Sequence, residues 1–216
     1  MLRSAAFRDA LFFHAVFFAV AMPIALSLKG SALGSALMVM VLAYNVALPL
    51  TGKARGHAEW TRLWLFLLPL SLTLPLADWV LAERMGTLIF PDHGVPRLGG
   101  AVPVYFMGLW IILLWMVLWF AQLTSRPYIA AALISFAGFV FWEWAARPMA
   151  LWHAVDVNQV AGFALYPLIP EVLLCLCALY FWRLLRSQPR HQQIIAAFGV
   201  TVFYTGALAL SLLWIG

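Results

Sequence analysis

Charge is what this chain has least of. Of its 216 residues, 13 are Lys or Arg and 8 are Asp or Glu, so charged residues make up 10% against 65% hydrophobic. With a mean hydropathy of +0.96, the composition lies far from that of soluble domains. There is no hydrophilic linker and no low-complexity stretch, so residues 1–216 read as a single transmembrane domain. A bilayer-crossing helix needs ~20 apolar residues. No sizeable soluble domain is left over, which excludes nucleotide-binding, kinase and Rossmann classes. The net charge of +5 follows from the shortage of acids; basic loops facing anionic lipid account for it, and no nucleic-acid partner is implied. Cys175 and Cys177, the only cysteines, lie two apart on an apolar run and point to different sides of a helix. That argues against a mutual disulfide or a zinc knuckle. The five histidines are scattered singly without the helical H-E-x-x-H spacing, so histidine-rich di-iron oxygenases and zinc proteases are not expected, nor is a bound metal. No serine sits in Gly-x-Ser-x-Gly, and no aspartate-rich diphosphate motif occurs. The only lysines, Lys29 and Lys53, leave the last apolar run without a Schiff-base residue, which excludes a covalent retinal protein.

What is present is a series of apolar runs. They predict an all-α, polytopic membrane protein with about seven spans, near Ala10–Leu28, Ser31–Leu50, Leu63–Ala82, Val102–Leu123, Tyr128–Ala146, Gly162–Trp182 and Ile194–Ile215. The first run is longer than a signal-peptide core and lacks a cleavage site, so it counts as a span. Seven crossings put Arg3, Arg8, Lys53, Arg55, Arg62, Arg126, Arg183, Arg186 and Arg190 on one face, and Lys29, Arg84, Arg97 and Arg147 on the other. Cytoplasmic loops are enriched in Lys and Arg. The expectation is an integral protein of a bacterial inner membrane with the N-terminus cytoplasmic and the C-terminus external.

The acids divide the opposite way. Asp9 and Glu59 belong to the basic face, whereas Asp78, Glu83, Asp92, Glu143, Asp156 and Glu171 fall in the other loops or in the adjoining halves of spans. Acids contribute little to orientation, so topology does not explain this split. For Glu83, Asp92 and Asp156, pairing with Arg84, Arg97 and Arg147 is one reading and a functional surface is the other. Asp78, Glu143 and Glu171 sit inside spans, where a carboxylate costs several kcal/mol and usually faces a bundle interior or a cavity. Glu171 is the deepest, ~9–15 Å below the surface by helical rise. Burial against Arg84 or Arg147 is the competing structural reading for these three.

A loose internal repeat connects them. Ala77-Asp78-Trp79 and Trp142-Glu143-Trp144 are each followed by an arginine, a long connection, glycine, an aromatic residue and a proline-bearing helix start, at Gly99-Gly100-Ala-Val-Pro103-Val-Tyr105 and Gly162-Phe-Ala-Leu-Tyr166-Pro167-Leu-Ile-Pro170-Glu171. Two tandem helical hairpins, spans three–four and five–six, would then enclose one cavity, since proline frees backbone carbonyls and bends the helix. Its expected walls are strongly aromatic, because Trp79, Phe90, Tyr105, Phe106, Trp110, Trp142, Trp144, Trp152 and Tyr166 all fall in the same half. Loop 86–100 has four glycines and two prolines and is expected to cap the mouth, with Asp92 and His93 reaching inward. Interfacial belts explain most of the eleven tryptophans. Trp79 and Trp144, each beside a buried acid, suit a site where a cation develops, because aromatic faces stabilise one by up to ~2 kcal/mol. Gly30 and Gly34 form a small-residue face for packing within the bundle or, less simply, for dimerisation.

Asp78-Trp79, the glycine-rich loop, Val102-Pro103 and Leu168-Ile169-Pro170-Glu171 together resemble small membrane-embedded carotenoid cyclases and hydratases, namely the lycopene cyclase domain family and related integral-membrane terpene cyclases. That family's paired helical units carry a Leu-Pro-x-Glu-Glu type motif. Here the first unit reads Val-Pro-Val-Tyr without acids, and the second has one glutamate followed by Val172. The resemblance runs from about Asp78 to Glu171 and implies cofactor-independent, acid-initiated cyclisation or hydration of an isoprenoid or carotenoid-like lipid. A proton donor must be neutral at working pH, which an apolar environment favours for a carboxyl. Glu171 is the expected donor, with Asp78 or Glu143 as acceptor; Trp79, Trp144, Tyr105, Tyr166 and Asp92 are the expected substrate contacts. Two other classes fit the same residues: a proton-coupled carrier using the acids as relays, and a non-catalytic assembly or pigment- and lipid-binding subunit, as a homo-oligomer or in a membrane complex. Spans three–four and five–six run in the same sense, unlike the inverted repeats common in carriers.

Overall fold

The computed structural model describes the backbone of residues 2–216 and side chains from Ala5 onward, so the side chain of Arg3, counted above on the basic face, lies outside the described residues. The chain is all-α and polytopic, built from long apolar helices. The first two are α1 (Leu2–Ser27) and α2 (Gly30–Ala54). The third span is broken: α3 (Ala58–Thr73) gives way to α4 (Pro75–Trp79) and then to a π-helical turn over Val80–Met85. Pro75 has no N–H for the carbonyl four residues earlier but suits the first position of a new helix. The π turn ends at Gly86, whose φ of 68° is left-handed, a conformation that glycine adopts without a Cβ clash. The remaining helices are α5 (Phe106–Gln122), α6 (Pro127–Met149), α7 (Leu168–Leu185) and α8 (Arg190–Ile215). Pro127 at the first turn of α6 and Pro189 immediately before α8 set those starts.

Spans four and six were expected from Val102 and Gly162, but α5 and α7 begin later, at Phe106 and Leu168. The intervening residues form short strands that no sequence pattern announced. Within the first long connection β2 (Arg97–Leu98) pairs with β3 (Val102–Pro103), and within the second β5 (Gln159–Val160) pairs with β6 (Phe163–Ala164). A third ladder joins the connections: β1 (Leu88–Ile89) runs antiparallel to β4 (His153–Ala154), with Leu88 opposite Ala154 and Ile89 opposite His153. The two hairpin units are thus fastened to each other at the acidic end of the molecule.

Helix neighbours follow a closed order. α3 packs on α5, α5 on α6, α6 on α7, α7 on α8, and α8 returns to α3. α2 lies outside this ring against α3 and α5, and α1 lies against α2. Between apolar helices in lipid there is no solvent-driven hydrophobic force, so close packing and interhelical hydrogen bonds hold the bundle. At one crossing, Asn45 on α2 donates from Nδ2 to the carbonyls of Val41 (2.9 Å) and Gly108 (3.1 Å), and the Trp64 indole donates to its Oδ1 at 2.9 Å. These bonds tie α2, α3 and α5, at ~0.6 kcal/mol for a typical intramembrane hydrogen bond. At the basic end His57 meets Asp9 at 2.8 Å, anchoring α1 to the α2–α3 turn.

Candidate functional site

Asp78, Glu143 and Glu171 reach one cavity inside the helix ring, toward the acidic end. It holds about 710 Å³ of space free of protein atoms, its opening included. Each acid comes from a different element: Asp78 from α4 just before the π turn, Glu143 from α6, and Glu171 from the first turn of α7. Both Asp78 and Glu171 are 6% exposed. Among the described residues the ion pairs are His57–Asp9 and Arg62–Glu59. Neither Arg84 nor Arg147 neutralises the cavity acids, contrary to the pairing reading. Arg84 instead lies over the Trp79 ring, 5.0 Å from its centre, and Arg147 donates to the Ala161 carbonyl.

Two of the acids are held by indoles. Trp110 Nε1 donates to Asp78 Oδ2 at 3.1 Å, and Trp152 Nε1 donates to Glu143 Oε1 at 3.1 Å. Glu171 differs: its Oε2 is buried with no hydrogen-bond partner among the described residues. Orphaned buried acceptors are rare and costly. Aromatic rings complete the wall, with Phe106 and Trp110 from α5, Phe139 and Trp142 from α6, and Trp152, Tyr166 and Tyr204 from three further segments. No Lys, Arg or His among the described residues lines it. Among the described residues no three His, Cys, Asp or Glu side chains come together closely enough to hold a metal ion.

The first long connection folds over this cavity, with Leu88 and Phe90 on its wall. His93 points inward and is 3% exposed, with Nδ1 2.9 Å from the Tyr105 hydroxyl. Burial lowers its pKa, as does Arg97, while a hydrogen bond to the Ala150 backbone and the charge of Asp92 act the other way. Burial likewise raises the Tyr166 hydroxyl to about 12. Asp92 does not turn inward; its Oδ1 accepts the Gly94 N–H at 2.8 Å. Arg97 does not pair with Asp92 either and donates to the carbonyls of Phe90, Pro91 and Ala101. The small-residue face of α2 receives this loop rather than another helix: a Cβ at Gly34 would collide with the His93 carbonyl oxygen, and Gly94 lies against Ser31.

Of the expected substrate contacts, Tyr166 lines the cavity and four do not. Trp144 is 62% exposed on the outer face of α6, beside Phe141. Trp79 packs against Gly99, its Nε1 without a hydrogen-bond partner among the described residues. Tyr105 is buried one layer behind the wall against His93 and Phe106, and Asp92 is the loop cap described above. Conversely, Tyr204 and Phe139 went unnoticed in the sequence. Tyr204 is 2% exposed, and its only sequence signal was a lone tyrosine in an apolar helix.

Residues 75–215 match a family described as a domain of unknown function, DUF6989, and the chain belongs to that family. The matched stretch takes in all three cavity acids and both long connections but leaves out α1, α2 and α3. No curated protein and no solved structure matches the chain.

Proposed function

We propose that this protein is a membrane-embedded enzyme that protonates a double bond of an apolar, isoprenoid-like lipid held in the cavity, by acid–base chemistry of its own side chains. The carrying observation is that three carboxyl groups without a cationic partner converge on a cavity walled by aromatic rings. A phosphate-bearing substrate is disfavoured, because no basic side chain among the described residues lines the wall. Glu171, with its unpartnered oxygen, is the proton donor: its O–H bond breaks as a C–H bond forms, leaving a carbocation in the lipid and a carboxylate on Glu171. Rings such as Trp110 and Trp142 stabilise that cation through their faces. Asp78 and Glu143, each fixed by an indole N–H, are the acceptors that take a proton from the neighbouring carbon and close the reaction as a cyclisation or isomerisation. If water adds first, the same groups take its proton and the outcome is hydration. The resemblance at Leu168-Ile169-Pro170-Glu171 to carotenoid cyclases supports the same chemistry.

The nine-to-four distribution of basic residues favours an N-terminus in the cytoplasm and a cavity toward the external face. Cysteine labelling in intact cells at sites near Gly56 and near Gln159 tests that orientation, with reagent expected at the second site alone. The function is tested by mass spectrometry of lipids that co-purify with the detergent-solubilised protein, followed by turnover of the lipid found. An isoprenoid converted by the wild type but not by Glu171→Gln is expected. Phospholipid as the only bound lipid, with no conversion of added isoprenoids, would overturn the enzyme in favour of a lipid-binding subunit.

A further inference from the structure

The cavity combines two features that recognise the same chemistry. Aromatic faces attract ammonium groups, most strongly where water is excluded. Carboxylates attract them as counter-ions, and a buried acid without a partner gains most from one. Asp78 and Glu171 are nearly inaccessible, and among the described residues no cation lines the wall and Glu171 Oε2 has no hydrogen-bond partner. Around them stand Trp110, Trp142, Trp152 and Tyr204. A site without basic residues excludes anionic lipids and diphosphates, whereas a single positive charge on an apolar tail answers both the acids and the rings.

We propose that this cavity binds lipophilic amines, with the nitrogen among Asp78, Glu143 and Glu171 and the tail along the aromatic wall. A tertiary amine entering unprotonated takes the proton of a neutral acid: the carboxyl O–H bond breaks, the N–H bond forms, and an ammonium–carboxylate pair remains. A quaternary ammonium has no lone pair to accept that proton and binds through charge and ring faces alone. This binding uses the cavity of the proposed function but does not depend on turnover, so the two fail separately.

The test uses the full chain in lipid nanodiscs and four probes with one tail: N,N-dimethyldodecylamine, dodecyltrimethylammonium, dodecanol and dodecanoate. Intrinsic tryptophan fluorescence reports occupancy, because three indoles line the wall. Partition into the bilayer is removed by subtracting the linear, non-saturating part of each titration, and Asp78→Asn/Glu143→Gln/Glu171→Gln is titrated in the same way. Saturable binding of the amine at least about tenfold tighter than the alcohol is expected, a modest demand on a desolvated cation–ring site, with dodecanoate not binding. If the triple variant does not fold, the single variants are compared, and Glu171→Gln is expected to lose the largest share of the amine preference. Equal binding of amine and alcohol, or wild-type amine affinity in a folded triple variant, would overturn the proposal. Amine binding in a protein that converts no isoprenoid would leave it standing and remove the enzyme reading; conversion without amine preference would do the reverse.

Discussion

The two hairpin units share a plan and differ in how they are held. Each runs from an acid-bearing helix through a strand and a two-residue-strand hairpin into a second helix. In the first unit the connection is locked: His93 is buried, Arg97 gathers three backbone carbonyls, and Gly34 lets the loop settle on α2. Its left-handed positions, residues 86, 94, 99 and 100, are all glycines. The second unit places Ala150, Asp156 and Ala161 at φ near +50°, where a Cβ costs roughly 1–2 kcal/mol. Its connection is largely exposed from Asp156 to Gly162. Yet the second unit contributes two acids, Glu143 and Glu171, including the one with an unpartnered oxygen. The first unit is the better-built scaffold, whereas the second carries two of the three cavity acids and the strained backbone positions, a distribution common at functional sites.

The largest test of that contrast is Glu171→Gln. A general acid contributes about 10²–10⁴-fold to a rate, so turnover should fall by that order while the melting temperature holds, because no ion pair is broken. Asp78→Asn, in the first unit, should lose less. Assays of purified variants on the identified lipid decide it, and near-normal activity in a folded Glu171→Gln protein would make the two units equivalent.

Next come the glycines and their replacements. Gly34→Val forces the first connection off α2 and should cost roughly 1–3 kcal/mol, a drop of several degrees in melting temperature. Gly162→Ala meets the mobile end of Arg147, so only its positive φ should be felt and the loss should be smaller. Ala150→Gly should move the other way, relieving a left-handed alanine by about 1 kcal/mol and raising Tm by about 2–4 °C. Equal behaviour at Gly34 and Gly162 in thermal-shift measurements would erase the difference in how the two connections are anchored.

A smaller effect concerns pH. His93 has a folded pKa below its ordinary 6.5, so the unfolded chain binds the proton first as the medium becomes acidic. The stability that the neutral ring provides is complete above that pH and declines as pH falls below it, levelling off under the folded value. His93→Gln should flatten that part of the Tm profile. A slope unchanged by the substitution would show that this buried contact is not what senses acid. The smallest effect is expected at Trp144, where Trp→Leu should leave turnover nearly unchanged because the ring faces outward; Trp152→Phe, which removes the hydrogen bond to Glu143, should slow it several-fold.

How much of this was legible depended on the physics of each signal. Apolar length alone located the spans. Proline and glycine gave the loop punctuation, and the cost of intramembrane carboxylates picked out Asp78, Glu143 and Glu171 from the eight acids. Aromatic facing was not legible. Trp142 and Trp144 are two residues apart, and one lines the cavity while the other is exposed on the outer face of α6. The two-residue strands were equally invisible, being too short to carry any alternation.

The sequence by itself therefore determined that this is a helical membrane protein, roughly where its long helices lie, and which three acids stand out from the other charges, since each follows from the transfer cost of a residue at its own position. Only the tertiary structure decided that the ring closes through α8, bringing Tyr204 to the wall, that β1 joins β4, and that indoles rather than arginines hold Asp78 and Glu143. The reason is that lipid and protein interior are alike apolar. A hydrophobic face carries no mark of which one it will meet, and that choice is made by packing between helices far apart in the chain.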